Sequence, residues 1–341
     1  MNDVRSDLLG AEAFSPLERS PVVVMAPGDP RPADAVTILV DQPGALPELD
    51  PADYDVLVTT TLGAPAPWVS VLPERLAAQL GSVQAAASLS PIASATLARV
   101  LRLGEGLHFE AALELESLAY STLLGGGEFA RWLAGSAREP ECPQAEAPVR
   151  YDRTGDVVTL TLASPGNRNA MTAAMRDALY EALVNVLEDP SLPRLVLQAE
   201  GKCFSTGGAL AEFGTAQDLA AAHVIRTQHS CARVLHRLGE RAEVRLHGAC
   251  IGSGIEVPMA AARRQGAADV LIQLPELRMG LIPGAGGTVT LARAIGRHRR
   301  AGRRDRLPRR RESPLRHRHP RNAAPPARRR CARVRWRREK S

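Results

Sequence analysis

A strand–helix–strand succession in the second half of the chain restricts the fold most. "VVTLTLA" (157–163) is a short apolar run rich in β-branched residues, "TAAMRDALYEALVNVLED" from Thr172 has helical spacing, and "PRLVLQAE" (193–200) is a second apolar run. Elements in this order bury their faces only as a layered α/β unit. Downstream, "AQDLAAAHVIRTQHSCARVLHRL" (216–238) predicts one long helix, "AEVRLHGA" a strand, "GIEVPMAAARR" helical spacing, and "ADVLIQL" another strand. A Gly/Pro-rich turn, "GLIPGAGGT", leads to the helix "VTLARAIG".

Upstream, residues 1–50 are a Pro/Ala-rich segment with strands expected at "PVVVM" and "AVTILV". Residues 51–135 are expected to be a mostly helical domain, opened by the strand "DYDVLVTTTL" and continued by amphipathic helices in "LPERLAAQLGSVQAAASL", "SPIASATLARVLRL" and "FEAALELESLAYSTLL". Residues 136–148 have no periodicity and three prolines in "SAREPECPQAEAP", which reads as a linker to a core at 149–296.

The net charge of +6 conceals a partition. Residues 297–341 hold 19 Arg and one Lys against Asp305, Glu312 and Glu339, a net of +17, so residues 1–296 carry −11. The Arg/Pro/Ala/His bias of this tail is what a shifted reading frame yields in GC-rich coding DNA, and an aberrant, disordered frameshift product is the expectation for it. The alternative is a genuine basic arm that binds nucleic acid or anionic lipid. The N-terminus lacks a basic region followed by an apolar stretch, and no apolar run reaches the ~20 residues of a membrane span, so a cytoplasmic protein is expected. The five cysteines show neither disulfide-framework nor zinc-ligand spacing, and no metal is expected.

One acidic residue stands out. Glu256 sits in "HGACIGSGIEVPM" (247–259), otherwise small or apolar, and Glu276 follows in "LPEL", 20 residues on. A carboxyl group in an apolar pocket near a second carboxyl is suited to moving protons near neutrality. The other readings of Glu256 are a helix cap or a partner for Arg263 or Arg264. "GAGG" (284–287) is not followed by Gly-Lys-Ser/Thr, which argues against a nucleotide loop. His223, His229, His236 and His247 read as solvated or core residues.

Four stretches in order, "SPGNRNAMT" (164–172), "KCFSTGGALAEF" (202–213), "HGACIGSGIEV" (247–257) and "LPELRMGLIPGAGGT" (274–288), resemble the enoyl-CoA hydratase/isomerase (crotonase) family over about 149–296. The resemblance implies an α/β crotonase fold, an enzyme, and an acyl-CoA thioester substrate, with coenzyme A as part of that substrate and no further cofactor. It implies an oxyanion hole made by the N–H groups of Gly208 and Ser253, with Glu276 as principal acid/base and Glu256 its partner on the nucleophilic water. Arg168 and Ala170 would line the coenzyme A site. Hydration of a 2-enoyl-CoA is the expected activity; double-bond isomerisation, other CoA-enolate chemistry, or a truncated inactive member acting as a binding protein are the alternatives. The family assembles as trimers or hexamers, which the resemblance carries over as an expectation. Ala209 stands where the family usually has Asp, and Leu274 where Gln is frequent, which implies a more apolar acyl pocket beside Glu276. Residues 51–135 also look loosely like the family's terminal helical part, at the other end of the chain; an unrelated helical interaction domain is the alternative.

Overall fold

The computed structural model describes residues 21–29, 35–136, 146–296 and 332–333. The Arg-rich tail thus lies outside the described residues except for Ala332–Arg333, as do 137–145 of the expected linker.

The first four strands, β1 (Val22–Met25), β2 (Val36–Asp41), β3 (Val56–Thr59) and β4 (Val69–Ser70), form one parallel sheet in sequence order. Strands of a parallel sheet are covered on both faces and so read as continuous apolar runs, as "TILV" and "DVLV" do. One face packs Val36, Ile38, Val56 and Val58 against Leu76 and Ala87 of α1 (Pro73–Leu89). The other gathers Met25, Leu39, Leu57 and Trp68. The boundary expected at residue 50 therefore runs through a single sheet, because the apolar runs on either side of it pair with each other.

Helices α2 (Pro91–Gly104), α3 (Phe109–Leu124) and α4 (Gly127–Gly135) pack on the core that follows them in the chain. Phe109, Ala112 and Leu113 join the cluster of Val158, Leu160 and Leu197. Ala93, Leu97, Leu101, Leu123 and Phe129 pack with Met279, Leu281 and Ile282. Glu128 of α4 accepts from the Ile92 and Ala93 amides at 2.8 and 2.9 Å, satisfying two orphan donors at the start of α2. Gly280, at φ +69°, lies under α4 so closely that a Cβ there would sit 2.6 Å from Glu128 Cβ. Residues 91–135 are thus part of the core's packing.

The core sheet begins with an antiparallel hairpin, β5 (Val149–Thr154) and β6 (Val157–Leu162), turning at Gly155. It continues in parallel through β7 (Arg194–Ala199), β8 (Ala242–Leu246) and β10 (Arg263–Gly266), and Ala332–Arg333 (β12) pairs antiparallel at its edge. A separate parallel pair, β9 (Ala249–Ile251) and β11 (Leu271–Gln273), lies beside it. Between β6 and β7 runs α5 (Ala173–Glu188), N-capped by Thr172, whose hydroxyl accepts from the Met175 amide.

Two expectations fail locally. The long helix expected over 216–238 is two, α6 (Leu219–Gln228) and α7 (Cys231–Leu238). Ser230 breaks the run by accepting from the Arg233 amide as a new N-cap. The helical spacing of "GIEVPMAAARR" resolves into a single turn at Ser253–Glu256, a 3₁₀ turn at Pro258–Ala260, and then β10. Pro258 has no N–H to continue the first turn.

Candidate active site

The four glycine-rich stretches meet around a cavity of about 740 Å³. They are held together by main chain. Met171 N–H donates to Gly207 O at 2.7 Å, Thr206 N–H to Arg168 O at 3.2 Å, and Ala209 N–H to Met171 O at 3.3 Å, so "NRNAM" is zipped onto "STGGA". Asn169, fully buried at positive φ, staples the turn: Oδ1 accepts from Ser164 N–H, and Nδ2 donates to the Glu200 and Cys203 carbonyls. Behind it, Ser205 bridges to β9, donating to Ala249 O at 3.1 Å and accepting from Ile251 N–H at 3.0 Å.

That approach explains two glycines. A Cβ on Gly254 would lie 2.4 Å from Ser205 O, and one on Gly207, at φ +86°, would lie 2.6 Å from Ile251 O. The two loops carrying Gly208 and Ser253 therefore lie back to back, and both residues line the cavity. Ser253 is the first residue of its helical turn, where an N–H has no intrahelical acceptor. Gly208 N–H takes no part in the Met171 bridge, which uses Gly207 O and Ala209 N–H. The Ser253 hydroxyl is buried without a hydrogen-bond partner among the described residues.

Glu256 is 2% exposed and Glu276 9%, and both line the same cavity. A Cβ placed on Gly252 would sit 2.9 Å from Glu276 Oε1 and 3.9 Å from Glu256 Oε1, so the two carboxylates converge on one glycine. Glu256 Oε2 accepts from the Ala285 and Gly287 amides at 2.8 and 3.0 Å. The cap reading of Glu256 thus holds for that oxygen, because Gly287 opens α8 (Gly287–Ile295). Of the arginines considered as partners, Arg263 lies 3.9 Å from Glu243 and Arg264 donates to Met259 O.

Three residues from the preceding helices complete the wall, and sequence reasoning had missed them. Glu116 of α3, 2% exposed, accepts from the Gly286 and Thr288 amides and the Thr288 hydroxyl, each at 2.6 Å. Tyr120 packs against Gly284, where a Cβ would lie 2.5 Å from Tyr120 Cδ2. Burial and the charges of Glu256, Glu276 and Glu116 push its hydroxyl well above the ordinary tyrosine range. Ser117 lies beside it on the cavity. On α6, Arg226 stacks over the Tyr120 ring at 4.6 Å.

Arg168 and Ala170 do not line the cavity; Met171, the next residue, does. Arg168 is exposed at φ +61°. Ala209 lines the cavity, whereas Leu274 faces a second cavity of about 550 Å³ together with Leu277 and Arg278. Leu274 therefore does not line the cavity beside Glu276, contrary to expectation, because the turn at Glu276–Met279 directs the residues of this segment into different cavities. Of the histidines, His229 reaches the main cavity and holds Asp177 Oδ1 at 3.0 Å. His223 holds Ser117 Oγ, His236 stacks on Phe109 and His247 meets Gly201 O. Among the described residues no group of three or more His, Cys, Asp and Glu could hold a metal ion, and no helix is long and apolar enough to cross a membrane.

In this layered α/β core two glycine loops and two glutamates line one cavity, and the fold is crotonase-like. Residues 152–303 match the family model described as Enoyl-CoA hydratase/isomerase. It is similar to the "Probable enoyl-CoA hydratase" of Bacillus subtilis (strain 168), 30% identical over 142 residues, 41% of this chain and 54% of that protein. It is also similar to the cyclohexa-1,5-dienecarbonyl-CoA hydratase of Thauera aromatica, 32% identical over 140 residues, 40% of this chain and 53% of that protein. The chain thus spans about half the length of these relatives. Among solved structures, the enoyl-CoA hydratase of Thermoplasma volcanium GSS1 aligns at 27% identity and a TM-score of 0.40, covering 45% of this chain and 61% of that one.

Proposed function

We propose that the protein hydrates a 2-enoyl-CoA thioester. The observation that carries the reading is the convergence of Glu256 and Glu276 on Gly252, in the cavity that Gly208 and Ser253 also line. The two N–H groups hold the thioester carbonyl oxygen and stabilise the enolate that forms during reaction. Water held between the carboxylates adds through its oxygen to C3, one O–H bond breaks, and a proton reaches C2. Glu276 is the principal acid/base and Glu256 orients the water with Oε1, its Oε2 being anchored by the Ala285 and Gly287 amides. The chemistry is proton transfer and addition, with coenzyme A entering as part of the substrate.

The test is spectrophotometric. Crotonyl-CoA should lose the absorbance of its conjugated thioester on addition of the protein, and Glu276→Gln should slow that loss by about 10³-fold. No loss of absorbance with the wild-type protein, or equal rates for the two proteins, overturns the reading.

A further inference from the structure

Arg226 carries a charge that makes no direct ion pair among the described residues, Glu116 acting on it only from a distance. Its guanidinium lines the main cavity, and its Nη1 donates to Ser117 O at 3.3 Å, Ser117 Oγ at 2.9 Å and Ser121 Oγ at 3.0 Å. Every one of those acceptors is neutral. Among the described residues no carboxylate lies within ion-pair distance of it, and Nε and Nη2 have no acceptor. The other arginine on this cavity, Arg176, pairs with Asp177 at 2.8 Å, and His229 holds the same carboxylate. Asp177 is therefore already shared by an arginine and a histidine.

Burial weighs most against the Arg226 charge, the carboxylate of Glu116 offsets part of that, and Arg176 adds a smaller penalty. Arginine keeps its proton nonetheless, so a cation persists where water is partly excluded, and a buried cation calls for an anion. Tyr120 links this charge to the proposed chemistry: its ring lies under Arg226 and against Gly284, whose neighbour Ala285 gives its amide to Glu256. Leu124, Phe129, Leu133, Phe213 and Ile225 line the same cavity, an apolar surface suited to the carbons of an acyl chain.

We infer that the acyl group bound here ends in a carboxylate, which pairs with the Nε/Nη2 edge of Arg226. The substrate class is an enoyl thioester with an acidic distal end, short enough to reach from the Gly208 and Ser253 amides to α6. The inference rests on the proposed function for the thioester end only; the Arg226 end stands on its own contacts. A phosphate of coenzyme A is the other anion that could meet this guanidinium, and the test separates the two.

The experiment uses non-reacting saturated thioesters, so its outcome does not depend on turnover. Calorimetry should show the full chain binding glutaryl-CoA about tenfold or more tighter than butyryl-CoA. Arg226→Gln should erase that difference while leaving butyryl-CoA affinity within about twofold. Equal wild-type affinity for the two ligands overturns the inference, and so does an Arg226→Gln protein that weakens both equally, the result a phosphate contact gives. If Arg226→Gln does not fold by circular dichroism, the wild-type comparison decides alone. Tighter glutaryl-CoA binding without hydration of crotonyl-CoA or its carboxylated analogue would sink the hydratase reading and leave this one standing.

Discussion

Glu116 and Glu256 divide four successive amides between them: Glu256 takes those of Ala285 and Gly287, and Glu116 those of Gly286 and Thr288. One carboxylate comes from α3 and the other from the turn after Gly252, so the loop 285–288 is clamped from both sides. Replacing the first by an amide sets an NH₂ donor against N–H donors in a buried place. Glu116→Gln should therefore lower the unfolding free energy by about 3 kcal/mol, read from urea titrations. It should also slow hydration about tenfold, because the anchor of Glu256 loosens with the loop; unchanged stability would mean that the clamp contributes nothing.

Ser253 and Glu276 separate a main-chain role from a side-chain one. The proposed oxyanion contact uses the Ser253 N–H, and its hydroxyl has no partner among the described residues. Ser253→Ala should keep kcat within about threefold, against the about 10³-fold loss for Glu276→Gln. Comparable losses in the two variants would count against the amide.

Two glycines should respond differently to alanine. In Gly254→Ala the new methyl meets Ser205 O at 2.4 Å, in main chain that cannot yield without parting the two loops. At Gly155 nothing lies within 4 Å, and the cost is that of φ +59° alone. Thermal melts should show a loss of about 3 kcal/mol or more for the first and about 1 kcal/mol for the second.

Asp55 and Arg102 tie β3's entry to α2. Arg102 pairs with both Asp55 oxygens and also donates to Ala35 O, while Thr37 donates its amide to Asp55 Oδ2. Burial opposes the Asp55 charge, but these partners outweigh it and hold the carboxyl below its usual 3.8. A lowered folded pKa gives stability that is fully present above the unfolded value and is lost as pH falls through the folded one. Arg102→Met should thus be destabilised relative to wild type at pH 7, and the gap should narrow below about pH 4; a constant gap would refute the pairing.

Burial pushes the thiols of Cys231 and Cys250 up to about 12. Since the thiolate is the reactive form, iodoacetamide at pH 8 should leave both unlabelled in the native protein and label them in urea, as read by peptide mass mapping. Native labelling at either position would contradict the core packing around it.

The strands were legible because their apolar runs are short and bounded by turn residues, and the glutamate pair because a carboxylate in "GSGIE" is conspicuous. The break at Ser230 was hidden by helical spacing that runs on through it, although a serine three residues before Arg233 is a cap signal. Glu116, Tyr120 and Arg226 escaped for another reason. The loop that Glu116 clamps is 170 residues away or more, so no local pattern joins them. A trace of it exists in α3, where Glu116 shares the buried stripe of Phe109, Ala112, Leu113 and Leu123. A charge on an apolar stripe asks for a distant donor, and only the tertiary structure says which.

On the ribosome, the wall of this cavity is translated before the floor on which it rests. Leu97, Leu101 and Leu123 have no lasting place until Met279, Leu281 and Ile282 are made, a wait on the order of 10–30 s at the usual pace of synthesis. For that interval the nascent chain carries a greasy helical surface, and a chaperone able to shield it would raise the yield of finished protein.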